Sequence, residues 1–116
     1  MKNPGVYTLG RFTAHVPPTV DLLDEAVIYF GETCGQTLET RLWQFHRSAF
    51  LVKDGHSGGW TYRERFGDQG EKLWVAVFPV TELDDVVKHL FIRFTERRLI
   101  WEWAKRHGKQ PICNSK

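Results

Sequence analysis

The spacing of hydrophobic residues predicts short strands and helices along this chain. Residues 6–15 are rich in Val, Tyr, Thr and Phe and predict a strand, in which Gly10 marks a bulge or a break. Hydrophobic residues then recur at helical spacing over 20–31, where carboxylates crowd the first turns, and again over 37–47. Both of these segments are predicted to be helices.

Three further strands are predicted in the middle of the chain. A short run over 49–52 is strand-like, residues 60–66 alternate between aromatic and polar, and 73–78 form a hydrophobic run. The segments 54–59 and 67–70 separate them, and their glycines are typical of tight turns. Together these segments predict an antiparallel meander.

Residues 80–107 allow two interpretations. In the first, Thr81 caps one long helix that ends at Gly108, with acidic residues at its start and basic residues at its end. In the second, the β-branched and aromatic run 86–94 is a fourth strand, and only 96–107 is helical. The end signals favour the single helix, and the hydrophobic pattern leaves both interpretations open.

The predicted fold class is α+β: an antiparallel meander of three to four strands packed against helices, with a long C-terminal helix. The predicted order of elements is β-α-α-β-β-β-α. Residues 1–110 are expected to form a single domain, and 111–116 a flexible C-terminal tail.

The order of elements over 36–107 resembles that of double-stranded-RNA-binding domains. With a strand at 86–94, the order instead resembles the messenger-RNA interferase toxins of bacterial toxin–antitoxin pairs. The second resemblance implies that His56, Arg63, Arg65 and Arg93 act on RNA.

Composition narrows the class of protein further. The chain has 116 residues, of which 14% are aromatic, and this share excludes a disordered chain. Cys34 and Cys113 are too few for the disulfide scaffold of a small secreted protein. Cys34 is expected to be buried or half-buried, and Cys113 to lie in the polar tail. Neither a signal peptide nor a membrane span is apparent, so a cytoplasmic location without membrane contact is expected.

Charge is distributed unevenly, although the net charge is only +2. Residues 19–40 carry five acidic side chains and no Lys or Arg. From Arg97 onward the sequence contains six Lys and Arg residues, and Glu102 is its one acidic residue. A basic end of this kind favours a negatively charged partner.

Sequence motifs for catalysis are not apparent. The five histidines are scattered, without the close spacing of metal ligands, and phosphate-binding, dinucleotide-binding and serine-nucleophile motifs are absent. His56 and Ser57 lie in the glycine-rich segment, where a plain turn explains them better than an active site. We therefore predict no catalytic residue, no metal and no cofactor, and an enzyme is the less favoured class.

The C-terminal segment is the best candidate for a binding surface. Lys and Arg neutralise phosphates, and aromatic rings stack on exposed bases. Because Trp101 and Trp103 are two residues apart, a helix cannot turn both toward the core, and one is expected to be exposed. The candidate binding residues are Arg93, Arg97, Arg98, Trp101, Trp103, Lys105, Arg106 and Lys109, with Arg63 and Arg65 on the predicted middle strand.

Three functions follow from these observations. The first is a small non-enzymatic binding or regulatory protein that acts through the basic, tryptophan-bearing helix on nucleic acid or a nucleoprotein complex. The second is a protein-binding inhibitor or adaptor of phage or mobile-element type. The third is a small toxin-like ribonuclease that uses Arg63 and Arg65. The pattern also leaves a homodimer open.

Overall fold

The computed structural model describes residues 3–12, 19–51, 53, 55–67 and 73–114. The α+β class, the antiparallel sheet and the long C-terminal helix are confirmed, since three strands form one sheet alongside three helices. In chain order the elements are β1 (Gly5–Arg11), β2 (Val27–Thr33), α1 (Leu38–Phe50), α2 (Ser57–Phe66), β3 (Leu73–Pro79) and α3 (Asp85–His107).

The central strand of the sheet is β1. It pairs antiparallel with β2 on one side and with β3 on the other. The register with β2 shifts between Leu9 and Gly10, which confirms the predicted bulge. Because β3 returns to β1 after two helices, the strand order differs from the predicted meander. The order β-β-α-α-β-α also differs from both resemblances drawn from the sequence.

The second strand takes the place of a predicted helix. Helical spacing over 20–31 predicted that helix, but β2 begins at Val27 and turns precede it. Asp21 and Asp24 each accept a hydrogen bond from the backbone two residues later, at 3.0 and 2.8 Å. Such local bonds stabilise turns in competition with a helix. The carboxylates expected at a helix N-terminus therefore close turns, and the helix prediction is wrong.

The helix predicted over 37–47 is confirmed as α1. Thr37 is its N-cap and accepts a hydrogen bond from the backbone of Thr40 at 3.1 Å. The helix continues to Phe50, so the strand predicted over 49–52 is wrong for the residues that are described there. Val52 lies outside the described residues.

The third correction concerns α2, which occupies the strand predicted over 60–66. The His56 side chain caps this helix by accepting a hydrogen bond from the backbone of Gly59 at 3.1 Å. Tyr62 and Phe66 stack one helical turn apart, with ring centroids 5.0 Å from each other. Aromatic residues that alternate as in a strand can therefore also lie on one face of a helix, as Tyr62 and Phe66 do here. Gly58 and Gly59, which were expected in a hairpin turn, lie in the first turn of this helix. Of that predicted turn, Asp54 lies outside the described residues.

Residues 85–107 form the single helix α3, which settles the two interpretations of this segment. Its N-cap is Asp84, not Thr81, and Gly108 ends it at a φ of 75°. A left-handed backbone of this kind favours glycine, as the predicted C-cap requires. No helix in the described part of the chain is both long and apolar enough to cross a membrane.

The helices cover both faces of the sheet. Tyr7 and Leu9 of β1 pack with Phe45 of α1 and Tyr62 of α2 in one hydrophobic cluster. On the other face, Trp103 of α3 packs with residues of β2, and its indole nitrogen donates to the Asp24 carbonyl at 2.9 Å.

Residues 111–114, which the sequence assigns to a tail, lie against β2. Cys113 is buried and donates its backbone N–H to the Ile28 carbonyl at 2.8 Å. Asn114 accepts from the backbone N–H of Phe30 and donates to its carbonyl, both at 2.9 Å. These bonds pair with Ile28 and Phe30 of β2 and hold residues 113 and 114 against this strand.

Candidate active site

Two tyrosines on neighbouring strands begin the site. Tyr7 on β1 and Tyr29 on β2 are buried, with ring centroids 5.8 Å apart. Gly31 is the residue of β2 that pairs with Tyr7. A Cβ at Gly31 would lie 2.4 Å from the Tyr7 ring and 2.6 Å from the Tyr29 ring. Only glycine therefore allows both rings to lie over β2 at this point.

His56 connects this pair to the N-terminus of α2. Its Nε2 lies 2.6 Å from the Tyr7 hydroxyl, and its Nδ1 accepts the Gly59 N–H. Burial lowers the pKa of His56 to about 3, with the positive charge of Arg41 as a second cause. The ring is thus neutral at pH 7. Because Nδ1 accepts, the ring proton is on Nε2 and donates to Tyr7.

Tyr29 lies beside the hydrogen-bonded pair of Tyr7 and His56. Burial raises the pKa of both tyrosines, and the Arg41 guanidinium lowers the pKa of both. The two tyrosines and His56 therefore form one buried polar group beside a fixed positive charge.

A cavity of about 710 Å³ opens beside Tyr29. Glu96 of α3 lines it, with only 15% of its side chain exposed and its Oε1 3.3 Å from the Arg97 Nε. Burial raises the pKa of Glu96 to about 7, and the negative charge of Glu32 adds to this effect. A carboxyl that titrates near neutral pH inside a cleft is typical of a functional site. Asn114, held on β2, also lines the cavity.

The carboxylate of Glu96 could hold a divalent cation. Mg²⁺ commonly binds one or two carboxylates, while waters and substrate phosphates complete its coordination. Among the described residues, no group of three or more His, Cys, Asp or Glu side chains could enclose a metal by itself. A cation at Glu96 would have this one carboxylate from the cavity lining, whose Oε1 already lies 3.3 Å from the Arg97 Nε, and would take its other ligands from water and substrate.

Two of the binding residues predicted from the sequence, Arg97 and Trp101, line the cavity, and a third, Lys105, contacts the Trp101 ring. Trp101 is 58% exposed, and the Lys105 ammonium lies 4.2 Å from the centre of its ring. Arg97 is exposed and lines the same cavity as Trp101. A positively charged rim with an exposed aromatic ring is thus adjacent to Glu96.

Trp103 is 2% exposed, so the prediction that one of the two tryptophans is exposed is confirmed for Trp101, and Trp103 is a core residue. Arg106 is paired with Asp21, with 2.7 Å between the Arg106 Nη1 and the Asp21 Oδ2. Arg63 and Arg65 lie in the last turn of α2, not on a strand. The remaining predicted binding residues are exposed: Arg93, Arg98 and Lys109.

The sequence interpretation missed the centre of the site. Its residues come from separate elements: Tyr7, Tyr29, Arg41, His56 and Glu96. The sequence does contain one sign of the tyrosine pair. Each segment has a glycine two residues from a tyrosine, in Gly5-Val-Tyr7 and in Tyr29-Phe-Gly31. Two antiparallel strands with these segments place a glycine beneath a pair of tyrosines.

Comparison with known proteins adds no assignment. No protein-family model, curated protein or solved structure matches this chain.

Proposed function

We propose that this protein is a divalent-cation-dependent phosphodiesterase that cleaves nucleic acid. The observation that carries the proposal is the Glu96 carboxyl, which lines one cavity together with Tyr29, Arg97 and Trp101. This arrangement combines a cation ligand, a proton-transferring hydroxyl and a surface suited to a polyanion. It joins the nucleic-acid-binding and ribonuclease hypotheses and departs from the expectation of a protein without catalysis, metal or cofactor.

The rim supports nucleic acid as the substrate. Arg97 and Lys105 can neutralise backbone phosphates, and Trp101 offers an aromatic surface on which a base can stack. The cation–π contact with Lys105 keeps a positive charge next to that ring. A substrate strand bound by Arg97 and Trp101 would lie next to the cavity that Glu96 lines.

The reaction class follows from the groups inside the cavity. Glu96 would hold the cation, which would supply electrostatic stabilisation of the negative charge that develops on the phosphate. A water oxygen would attack the phosphorus and lose its proton to solvent, and the bond from phosphorus to the leaving oxygen would break. Tyr29, beside the hydrogen-bonded His56–Tyr7 pair, would donate a proton to the leaving oxygen and regain one from solvent. Arg41 supplies a fixed positive charge beside the hydroxyls.

Cleavage assays test the catalytic part of the proposal. Purified protein is incubated with supercoiled plasmid, single-stranded DNA or RNA in the presence of Mg²⁺, Mn²⁺ or EDTA. We expect cation-dependent cleavage of at least one substrate and a loss of roughly 100-fold or more in Glu96→Gln, as for removal of a main catalytic group. Glu64→Gln is the matched control, because Glu64 is exposed on α2 away from the cavity lining.

Binding assays separate the substrate surface from the chemistry. Glu96→Gln should still bind the substrate, whereas Trp101→Ala should weaken binding about tenfold and make little difference to cleavage at saturation. If binding falls steeply with salt but no cation supports cleavage, the catalytic proposal is wrong and the non-enzymatic binding function is retained. If neither binding nor cleavage occurs, both are rejected, and a protein-binding inhibitor becomes the function to test.

The cytoplasm remains the proposed location. Cys34 and Cys113 are both free thiols, which agrees with a reducing compartment. Burial raises the pKa of Cys34 to about 11 and that of Cys113 to about 12, so neither is a nucleophile at pH 7.

A further inference from the structure

The outward face of α3 is apolar over its first half. Val86 is 74% exposed, Leu90 62% and Phe94 60%, and Val87 and Phe91 beside them are also exposed. A soluble monomer rarely leaves so many large apolar side chains together in water. This surface, residues 86–94 of α3, is called the apolar patch below.

The spacing within the patch is that of a helix–helix seam. Val87, Leu90 and Phe94 of α3 are separated by three and four residues, which is the 3.5-residue period of a coiled coil. Ile92 is buried against the protein's own core, so the seam lies on the opposite side of the helix. The patch is therefore shaped to receive another helix.

The charges that flank the patch suit a second copy of the same helix in the reverse direction. Glu82, Asp84 and Asp85 lie at its N-terminal end, and Arg97 and Arg98 lie at its C-terminal end. Antiparallel pairing brings the acidic end of each helix to the basic end of the other, whereas parallel pairing brings like charges together.

A two-fold axis at Leu90 makes this complementarity specific. Asp84, Phe91 and Arg98 are seven residues apart and form one row beside the seam. With the axis at Leu90, the residue directly opposite Asp84 is the largely buried Glu96, and Arg98 lies two residues beyond it, about 3 Å along the helix axis. Asp84 of one chain therefore comes near Arg98 of the other. Both side chains are exposed, and Asp84 makes no capping hydrogen bond to its own helix.

We propose that two copies of this chain form an antiparallel dimer through the apolar patch, with Leu90 at the two-fold axis. The interface is self-complementary, as a two-fold interface must be. Trp101 lies eleven residues beyond Leu90, past the paired region, so this part of the rim of the Glu96 cavity remains accessible, whereas Arg97 borders both surfaces. Dimerisation is nevertheless measured without substrate, so its outcome is separate from that of the proposed chemistry.

The first test is the mass of the protein in solution. Light scattering and sedimentation are measured from roughly 1 to 100 µM, a range that covers ordinary dimer affinities. The unmodified chain should be a dimer, and Leu90→Asp, which sets two carboxylates against each other, should be a monomer at every concentration. Trp43→Asp is the control, because Trp43 is 53% exposed on α1, and it should remain a dimer. Circular dichroism establishes that each variant is folded.

The second test determines the orientation of the helices. Asp84→Arg and Arg98→Asp should each raise the dimer dissociation constant by about tenfold or more, and the double exchange in one chain should restore it. A monomer at all concentrations, or a dimer that Leu90→Asp leaves intact, would overturn the proposal. A dimer that the double exchange weakens further would overturn the antiparallel orientation.

Discussion

At the residue scale, Glu96 combines a functional position with a cost in stability. The carboxyl is largely buried, and its pKa is raised to about 7 from an unfolded value near 4.5. Between these two pKa values the folded protein binds more protons than the unfolded chain. Stability therefore falls as the pH rises through this window. A residue that only packs in the core does not need an ionisable group that lowers the stability of the fold. We therefore infer that the carboxylate of Glu96 has a functional role.

Glu96→Gln is expected to be more stable than the unmodified protein at pH 8, by on the order of 2 kcal/mol, because glutamine is never ionised. The gain should shrink as the pH falls and vanish below about pH 4.5, near the unfolded pKa. Urea unfolding of both proteins at several pH values measures the difference. A variant that is less stable at pH 8 would show that the carboxylate is stabilised by contacts in the native state.

At the scale of elements, the junction of α1 and α2 depends on close approach. A Cβ at Gly59 would lie 2.7 Å from the Ser48 Cβ and 2.8 Å from the Phe45 carbonyl oxygen. These atoms belong to α1, and a helix backbone cannot move away cheaply. Gly59 thus allows α2 to pack on α1, and Gly58 allows α2 to approach Tyr29, where a Cβ would lie 2.7 Å from the ring. These two contacts explain a sequence that resembles a flexible turn.

Gly59→Ala should destabilise the protein by roughly 1–3 kcal/mol through overpacking, despite the better helix propensity of alanine. Gly35→Ala is the control, since a Cβ there meets no atom within 4 Å, and it should change stability by less than about 0.5 kcal/mol. Thermal unfolding in parallel compares the two variants. Equal stabilities would mean that α2 shifts freely on α1.

The elements differ in how far the sequence predicts them. β1, α1, β3 and α3 follow from hydrophobic period and end signals, which act within a few residues. β2 was missed because Asp21 and Asp24 fit a helix N-terminus as well as they fit turns. α2 was missed because a histidine N-cap is uncommon, and because residues 60–66 satisfy both periods. Contacts distant in sequence decide these cases.

At the scale of the whole molecule, the candidate site is less predictable than the fold. Its groups lie on β1, β2, α1, α2 and α3, and no two of the central residues are close enough in sequence to form a motif. The rim was found because Arg97, Trp101 and Lys105 share one helix at a spacing of four residues. The tertiary structure places Glu96 and Tyr29 in the lining of one cavity. The local sequence pattern contains no signal for this proximity.

The same long-range assembly sets the pH response of the whole fold. His56 has a folded pKa of about 3, below its unfolded value near 6.5, so its contribution to stability is lost as the pH falls through that range. Glu96 acts in the opposite direction, since its contribution is lost as the pH rises from 4.5 to about 7. The two slopes oppose each other between about pH 5 and 6.5, where we expect stability to be nearly constant.

Removing either group should expose the slope of the other. In His56→Gln, stability should fall as the pH rises across this window, and in Glu96→Gln it should fall as the pH decreases. The variant with both changes should again be nearly flat, although less stable because the bond to Tyr7 is altered. Urea unfolding at half-unit steps of pH measures all four proteins. Parallel curves would show that neither group changes its pKa on folding, and would remove the electrostatic basis for placing His56 and Glu96 in one active site.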